Sequence, residues 1–446
     1  MRKKITRRDF LKVSGIAGTS LIGGPALLGL SRGPTRAWAS TDPIKIGGIY
    51  SLSGVVAAWG RAARMGSSMA AQEINEAGGI LGRKVVLKFE DDSVNPEVGA
   101  RKARRLVLDW GADFLHGFNS SGVALGVVPL LEKELNRVCL IPCAASPRIT
   151  TEAFNKYVFR VHPNCYQIGA GSAAIAAEMP YKKWTVIGPD YSYGWDSWGA
   201  FISHLTNRRS DVEAMQVQAW PKFATGDYSS YVTKLLGAKP EGVYSSLWGG
   251  DFVTFAKQAK RYGFFEKVGA FMTPAGLALD SFSALATKRG KESEMPEGLY
   301  TAAHGYWFEH PATQKNKKWV EAFQDRYGEP PHIVAHDAYG LIYVYKKAIE
   351  KAGTIESDAV ITAMEGMSFE TPGYSRVIRK EDHQAISDVP WGQTVKAPEL
   401  AGFLGAMRIK DIKDSAGEEI IEPIESVLER RAKKEPASWM KFVVKG

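Results

Sequence analysis

The sequence predicts an α/β protein built as two doubly wound parallel-sheet lobes, and three observations lead there. Short apolar runs alternate with longer amphipathic ones from residue 44 onward, the pattern of βαβ units. The alternation halts at Phe159-Arg-Val-His-Pro-Asn164 and then begins again. With 446 residues, at roughly 100–200 per domain, the chain has room for two or three compact units.

Taken in order, Ile44–Tyr50 is apolar and short enough for a buried strand. The stretch 60–77 sets Met65, Met69 and Ile74 at helical spacing, and Gly78-Gly79 stops it as a helix C-cap prefers. A strand over 85–90, a helix over 96–110, a strand at Phe114–Gly117, a helix opening at Ser120 or Ser121 and a strand over 138–141 complete the first run. The second run predicts helices over 166–179, 194–207, 228–236 and 251–262. Strands over 184–188, 213–219, 242–247 and 268–272 alternate with them. Beyond Pro296 come a strand-like 298–303, helices at Gln314–Tyr327, 334–352 and Ser357–Met364, a segment over 374–380, a strand-like 406–410 and a charged 425–434. That is too little for a third sheet domain. The expected layout is a leader at 1–39, a first lobe begun by 40–163 and completed by 291–380, and a second lobe at 164–290. Residues 381–446 then form a hinge crossing and C-terminal extension, so the hinge is crossed more than once.

The net charge of +9 first suggests an acidic partner, but its distribution removes nucleic acid. Residues 1–39 hold eight of the 57 basic side chains and one of the 48 acidic ones, leaving the remainder near +2. That leader carries Arg7-Arg8-Asp9-Phe10-Leu11-Lys12, a mild apolar stretch, and then Ala37-Trp38-Ala39, small residues of the kind signal peptidase cuts. Its paired arginines before Phe-Leu-Lys resemble the twin-arginine export signal. Four glycines and Pro25 thin the apolar stretch below what a spanning helix needs. A soluble periplasmic product, cleaved near Ala39, is expected. The three cysteines, Cys139, Cys143 and Cys165, form no C-x-x-C and read as buried thiols. Without Cys clusters, no cofactor is expected.

In parallel α/β sheets, ligands lie beyond the carboxyl ends of the strands, where loops open helices. Four such loops stand out: residues 51–54, 117–122, 143–147 and 190–194. In the second, Ser120 or Ser121 is placed to cap a helix whose first amides carry a partial positive charge, and Gly122 leaves the backbone approachable. No basic residue lies near in sequence before Lys133. A carboxylate held there is expected to rest on hydroxyls and amides rather than an ion pair. The third loop, Cys143-Ala-Ala-Ser-Pro147, repeats that small-residue chemistry at the next strand end. Trp59, Tyr191, Tyr193, Trp195 and Trp248 are candidates for apolar walls.

Signals of catalysis are weak. There is no G-x-S-x-G, and Gly78-Gly-Ile-Leu-Gly-Arg-Lys lacks the Walker spacing. His304, Glu309 and His310 do not have the spacing of a helical zinc pair, so no metal is expected. Asp91-Asp92 reads as a loop or cap pair, with a catalytic dyad as the alternative.

At this point the residues match something known. Ser51-Leu-Ser-Gly, Ala58-Trp-Gly and Glu73-Ile-Asn-Glu-Ala-Gly-Gly-Ile-Leu-Gly-Arg-Lys resemble the opening of the periplasmic leucine/isoleucine/valine-binding protein family. Asp91-Asp-Ser, Ser120-Ser121, Ala144-Ala-Ser-Pro, Phe159-Arg-Val, Asp190-Tyr-Ser-Tyr-Gly and Asp382-His-Gln continue the likeness in order, from about residue 44 to 400. The resemblance implies a type I two-lobed solute-binding protein feeding an ABC importer. It places the carboxylate roles of the family's amino-acid binders on Ser121, Ala144 and Ser146, and the aromatic contacts on Trp59 and Tyr193. Where those binders hold the ammonium with Glu, this chain reads Met272-Thr-Pro-Ala-Gly-Leu, with Ala275 at the matching place. A free ammonium would then be poorly paired in a closed cleft, at a cost of several kcal/mol.

The expected function is an extracytoplasmic, non-enzymatic, monomeric binding component of an ABC importer, read by a membrane permease. Its expected ligand is a branched-chain amino acid or a related small carboxylate or amide, an aromatic acid included, held at Trp59, Ser120, Ser121, Ala144, Ser146, Tyr193, Trp248 and Ala275. The alternatives are a ligand sensor on the same scaffold and a hydrolase or lyase at the same cleft.

Overall fold

Strand β1 (Ile44–Tyr50) is buried along nearly its whole length, which its apolar run requires of a central parallel strand. Helix α1 (Ala57–Glu76), strand β2 (Val85–Asp91), helix α2 (Pro96–Arg104), strand β3 (Phe114–Gly117), helix α3 (Ser121–Leu130), and strands β4 (Cys139–Ile141) and β5 (Val158–Arg160) follow. They form a five-stranded parallel sheet in the order β2-β1-β3-β4-β5. This computed structural model describes residues 42–286, 292–400 and 404–445; the leader, with its expected export signal and cleavage site, lies outside them.

The second run begins with α4 (Cys165–Ala177), held at its start by a reciprocal cap in which Asn164 accepts from the Gln167 amide and Gln167 from the Asn164 amide. It continues through β6 (Lys183–Ile187), α5 (Ser192–Arg208), β7 (Glu213–Ala214), α6 (Ser229–Ala238), β8 (Gly242–Ser245), α7 (Gly249–Arg261), α8 (Phe264–Lys267), β9 (Ala270–Met272), α9 (Leu279–Leu285) and β10 (Tyr300–Thr301). Helices α10 (Gln314–Tyr327), α11 (Ile333–Ala352) and α12 (Ser357–Met364) return to the first lobe. There α11 meets α1 so closely that a Cβ at Gly66 would lie 2.0 Å from the Ala335 carbonyl oxygen. Strands β11 (Ser368–Glu370), β12 (Ser375–Ile378) and β13 (Ala385–Ile386) make a small antiparallel sheet. Strands β14 (Val389–Lys396) and β15 (Met407–Ser415) precede α13 (Gly417–Ile420) and α14 (Ile424–Lys433).

The second sheet runs β15-β14-β10-β9-β8-β6-β7. It therefore draws strands from beyond residue 290: β10 pairs with β9 in parallel and with β14 antiparallel, and β15 closes the edge. Residues 298–303 and much of 381–446, read from the sequence as first-lobe completion and extension, supply this sheet. The strand expected over 213–219 is short, because only Ala219 bridges back to Ile187 after β7 ends.

The chain passes between the lobes after β5, after β10 and after β13. Buried Arg160 ties the first of these crossings down. Its guanidinium donates to the Gln384 side chain at 2.6 Å, to the Ser146 carbonyl at 2.5 Å and to the Thr150 hydroxyl at 2.8 Å. Gln384 in turn donates to the His162 carbonyl at 2.8 Å, so the first and third crossings are stitched together.

Candidate functional site

The carboxyl ends of the two sheets face each other, and the loops there build the cleft. The first loop is pinned from beneath. Ser51 donates its hydroxyl to Asp92 at 2.7 Å, and the Leu52 amide donates to Asp91 at 2.8 Å. Burial raises the Asp92 carboxyl to about 6 despite those bonds. Burial alone would raise the Asp91 carboxyl, but its hydrogen bonds from Ser53, Ser93 and the Leu52 amide together outweigh that and hold it lower than usual. Each carboxylate thus holds a loop, and Asp92 Oδ2 is left buried without a partner. Glycine at 60 lets α1 start against this loop, since a Cβ there would lie 2.2 Å from the Ser51 carbonyl oxygen, and that start carries Trp59 into the cleft.

At the second loop, Ser120 occupies the cap position of α3, yet its side chain makes no capping bond. It stands near the Tyr191 hydroxyl of the other lobe instead, and Tyr191 accepts from the Trp248 indole at 3.1 Å. Ser121 accepts from the Ser146 amide at 3.1 Å, joining the second and third loops. Ser121→Ala is therefore expected to leave a buried N–H without an acceptor and to lower stability by about 1–3 kcal/mol. Urea unfolding checks it, and an unchanged midpoint would show that the two loops are not joined there.

The third loop is braced from behind. Ala144 donates its amide to the Phe118 carbonyl at 3.0 Å, and its own carbonyl accepts from Arg160 at 3.3 Å. A basic group thus lies one layer behind the loop, buried, with its donors spent on carbonyls and the hinge. Ser146 reaches across the cleft, donating its hydroxyl to Asp196 at 2.5 Å, and Arg148 pairs with the same carboxylate at 3.1 Å.

Between the lobes the walls nearly meet, leaving a narrow, partly open gap of about 10 Å³, roughly room for one water. Four of the residues singled out from the sequence line it: Trp59, Tyr193, Trp248 and Ala275. Asn119, Cys143, Ala145 and His304 line it as well. Ser120, Ser121, Ala144 and Ser146 stand just outside, linking loops and lobes. Trp195 turns away, with its indole donating to Asp190 at 3.1 Å and Lys445 over its ring. The walls are aromatic: Trp59 meets Trp248 edge-on at 5.0 Å, His304 at 5.5 Å and His332 at 4.7 Å between ring centroids. Three polar atoms of this lining are buried without a partner, namely Asn119 Nδ2, the Tyr193 hydroxyl and His304 Nδ1. Such groups are rare in folded proteins and costly unless something satisfies them.

Asn119 and Cys143 lie within loops the sequence points to, beside serines whose capping chemistry is the stronger local signal. His304 reads from the sequence only as a metal candidate. Its supposed companions are elsewhere: Glu309 pairs with Arg408, and His310 with Asp414 at 2.8 Å. Among the described residues, no group of three or more His, Cys, Asp or Glu side chains is gathered for a metal. The three cysteines are free and buried, and Cys143 belongs to the cleft wall.

Comparison with known proteins gives the family and the fold. The family model described as periplasmic binding protein matches residues 43–398. The Leu/Ile/Val-binding protein homolog 3 of Brucella melitensis is 31% identical over 330 residues, which cover 73% of this chain and 83% of the relative. The leucine-, isoleucine-, valine-, threonine- and alanine-binding protein of Pseudomonas aeruginosa is 27% identical, over 75% of this chain and 85% of the relative. Among solved structures, an ABC-transporter solute-binding protein from Rhodopseudomonas palustris in complex with 3,4-dihydroxybenzoic acid superposes with a TM-score of 0.73 at 20% identity, covering 86% of this chain and all of that one. A leucine-binding protein from Thermotoga maritima gives 0.68 at 21% identity, covering 83% and 98%.

Proposed function

The chain belongs to the periplasmic binding protein family, and from that premise we propose that it is the solute-binding component of an ABC importer whose cargo is a small aromatic carboxylate. The observation that carries this reading is the make-up of the cleft: aromatic walls, unpartnered polar atoms, and no carboxylate in the lining. The uncapped start of α3 and the Asn119 side chain supply donors for an anion. An α-amino acid would bring an ammonium with no acidic partner, because Ala275 stands where the family's amino-acid binders carry Glu. The gap of about 10 Å³ is too small for a ring as it stands, so the reading requires the lobes to part at the hinge to admit one between the aromatic walls. The scaffold accommodates such solutes, since a structural neighbour binds 3,4-dihydroxybenzoic acid.

Binding without turnover is the proposed activity, because Asp91 and one oxygen of Asp92 are engaged in pinning the first loop and neither residue lines the cleft gap. The proposal is completed by export of the monomer through the twin-arginine route, cleavage near Ala39, and a permease that reads the ligand-closed lobes.

Calorimetry of the mature protein against benzoate, the hydroxybenzoates, benzamide, leucine, isoleucine and valine tests the reading. Heat with an aromatic acid and none with the amino acids is expected; leucine binding with silence from every benzoate would overturn it. A charge probe gives a second check. Ala275→Glu sets a carboxylate in the lining and is expected to weaken benzoate binding by about 2 kcal/mol, roughly thirtyfold in Kd, through like-charge repulsion.

A further inference from the structure

His304 lines the cleft and His162 packs against it with ring centroids 4.6 Å apart, and the hydrogen bonds on one nitrogen of each define the other. His304 Nε2 lies 3.4 Å from the Cys143 carbonyl oxygen, which can only accept, so Nε2 carries the proton and Nδ1 presents a lone pair. His162 Nδ1 lies 2.7 Å from an Asp337 oxygen, so Nδ1 carries the proton and Nε2 presents a lone pair. His304 Nδ1 and His162 Nε2 are both buried and both without a partner. Two adjacent acceptors cannot satisfy one another; they need a donor.

We propose that His304, backed by His162, is the specificity-determining end of the cleft and selects aromatic carboxylates that bear a hydroxyl group away from the carboxylate. The hydroxyl donates to His304 Nδ1 while the carboxylate stays at the Asn119 and α3 end. Burial pushes both imidazoles below their ordinary pKa, which agrees with neutral rings. A cationic donor is disfavoured, because the nearest carboxylate, Asp337, is already shared among His162, His336 and Arg376. The backbone at the site is also unusual. Ala303 and His304 hold φ of 42° and 57°, left-handed values uncommon for such residues and typical of sites where position matters more than comfort.

This assignment rests on the cleft holding an aromatic carboxylate, and the experiment separates the two. Wild-type protein and His304→Asn are titrated calorimetrically with benzoate, 3-hydroxybenzoate and 4-hydroxybenzoate; asparagine tolerates the left-handed backbone but is too short to replace the ring nitrogen. The wild type is expected to bind at least one hydroxybenzoate about tenfold or more tightly than benzoate, and the variant to bring that ratio within about twofold. Benzoate bound by the wild type with no such preference, or a preference kept in the variant, overturns the role of His304 and leaves the aromatic-carboxylate reading standing. Silence from all three ligands overturns both. Should the variant not fold, the methyl ethers 3- and 4-methoxybenzoate give the answer on the wild type. Loss of the advantage is expected when the hydroxyl hydrogen is gone, and an ether that binds like its hydroxybenzoate overturns the assignment.

Discussion

Asp337→Ala is expected to lower the free energy of unfolding by about 3–5 kcal/mol, the range for breaking a buried ion pair from one side. Asp337 is fully buried at the start of α11 and accepts from Arg376 Nη1 at 2.8 Å and from His162 and His336 at 2.7 Å each. Arg376 is equally buried, and its Nε and Nη2 already lack partners. Without the carboxylate, Arg376 keeps the Val161 carbonyl at 2.5 Å and the Tyr374 ring at 5.9 Å, and its charge is left without an anionic partner in the interior. Urea denaturation at neutral pH measures the loss, and a change below about 1 kcal/mol would show that the charge is solvated some other way. The pH dependence has a definite sign. Burial alone would raise the Asp337 carboxyl, but Arg376 and the two histidines outweigh it and hold it well below the usual range. Its contribution is therefore full above the unfolded carboxylate pKa of about 4 and is lost as the pH falls below it. The wild type should lose stability in acid more steeply than the variant.

The same cluster explains why the hinge and the cleft form one problem. Val161 and His162 lie on the first crossing, Arg376 on β12, and His304 on the second crossing, where Gly305 packs against Pro163: a Cβ at Gly305 would lie 3.0 Å from Pro163 Cγ. These contacts join residues more than a hundred positions apart, which is why no local pattern announced them. What was legible from sequence is what local physics dictates. The strands β1, β3, β4, β6, β8 and β9 are short apolar runs, and the loops after them carry the small and hydroxyl residues that end up at the cleft. Strand β14 was not legible, because Pro390 and Gly392 read as breakers. The strand accommodates them through a register shift between Trp391 and Gln393 and through pairing with β15 and β10 that only the finished sheet supplies. The serines show the limit most clearly. Their position at strand tips was readable, but whether Ser120 caps its helix or reaches Tyr191 depends on the opposite lobe.

Trp59→Ala is expected to weaken benzoate binding by about 3–4 kcal/mol, two to three orders of magnitude in Kd. Trp59 starts from the first lobe and is 1% exposed. It meets Trp248 of the second lobe and His304 and His332 of the connecting segments, and its indole donates to Asp280 at 3.0 Å. Truncation thus removes a cavity wall and an interlobe contact in one step. It also strands the Asp280 carboxylate, whose remaining partner is His332 at 3.4 Å. Trp59→Phe separates these effects, keeping a ring against Trp248 while losing the bond to Asp280, and should fall between the wild type and alanine. The comparison is made by calorimetry with benzoate, alongside thermal unfolding of the ligand-free proteins to subtract any loss of fold. Small-angle scattering with and without benzoate adds the conformational arm, because a cleft that can no longer close on its solute should show little compaction. Wild-type affinity in Trp59→Ala would mean that the solute binds away from this wall, and the narrow gap between the lobes would then be a packing seam.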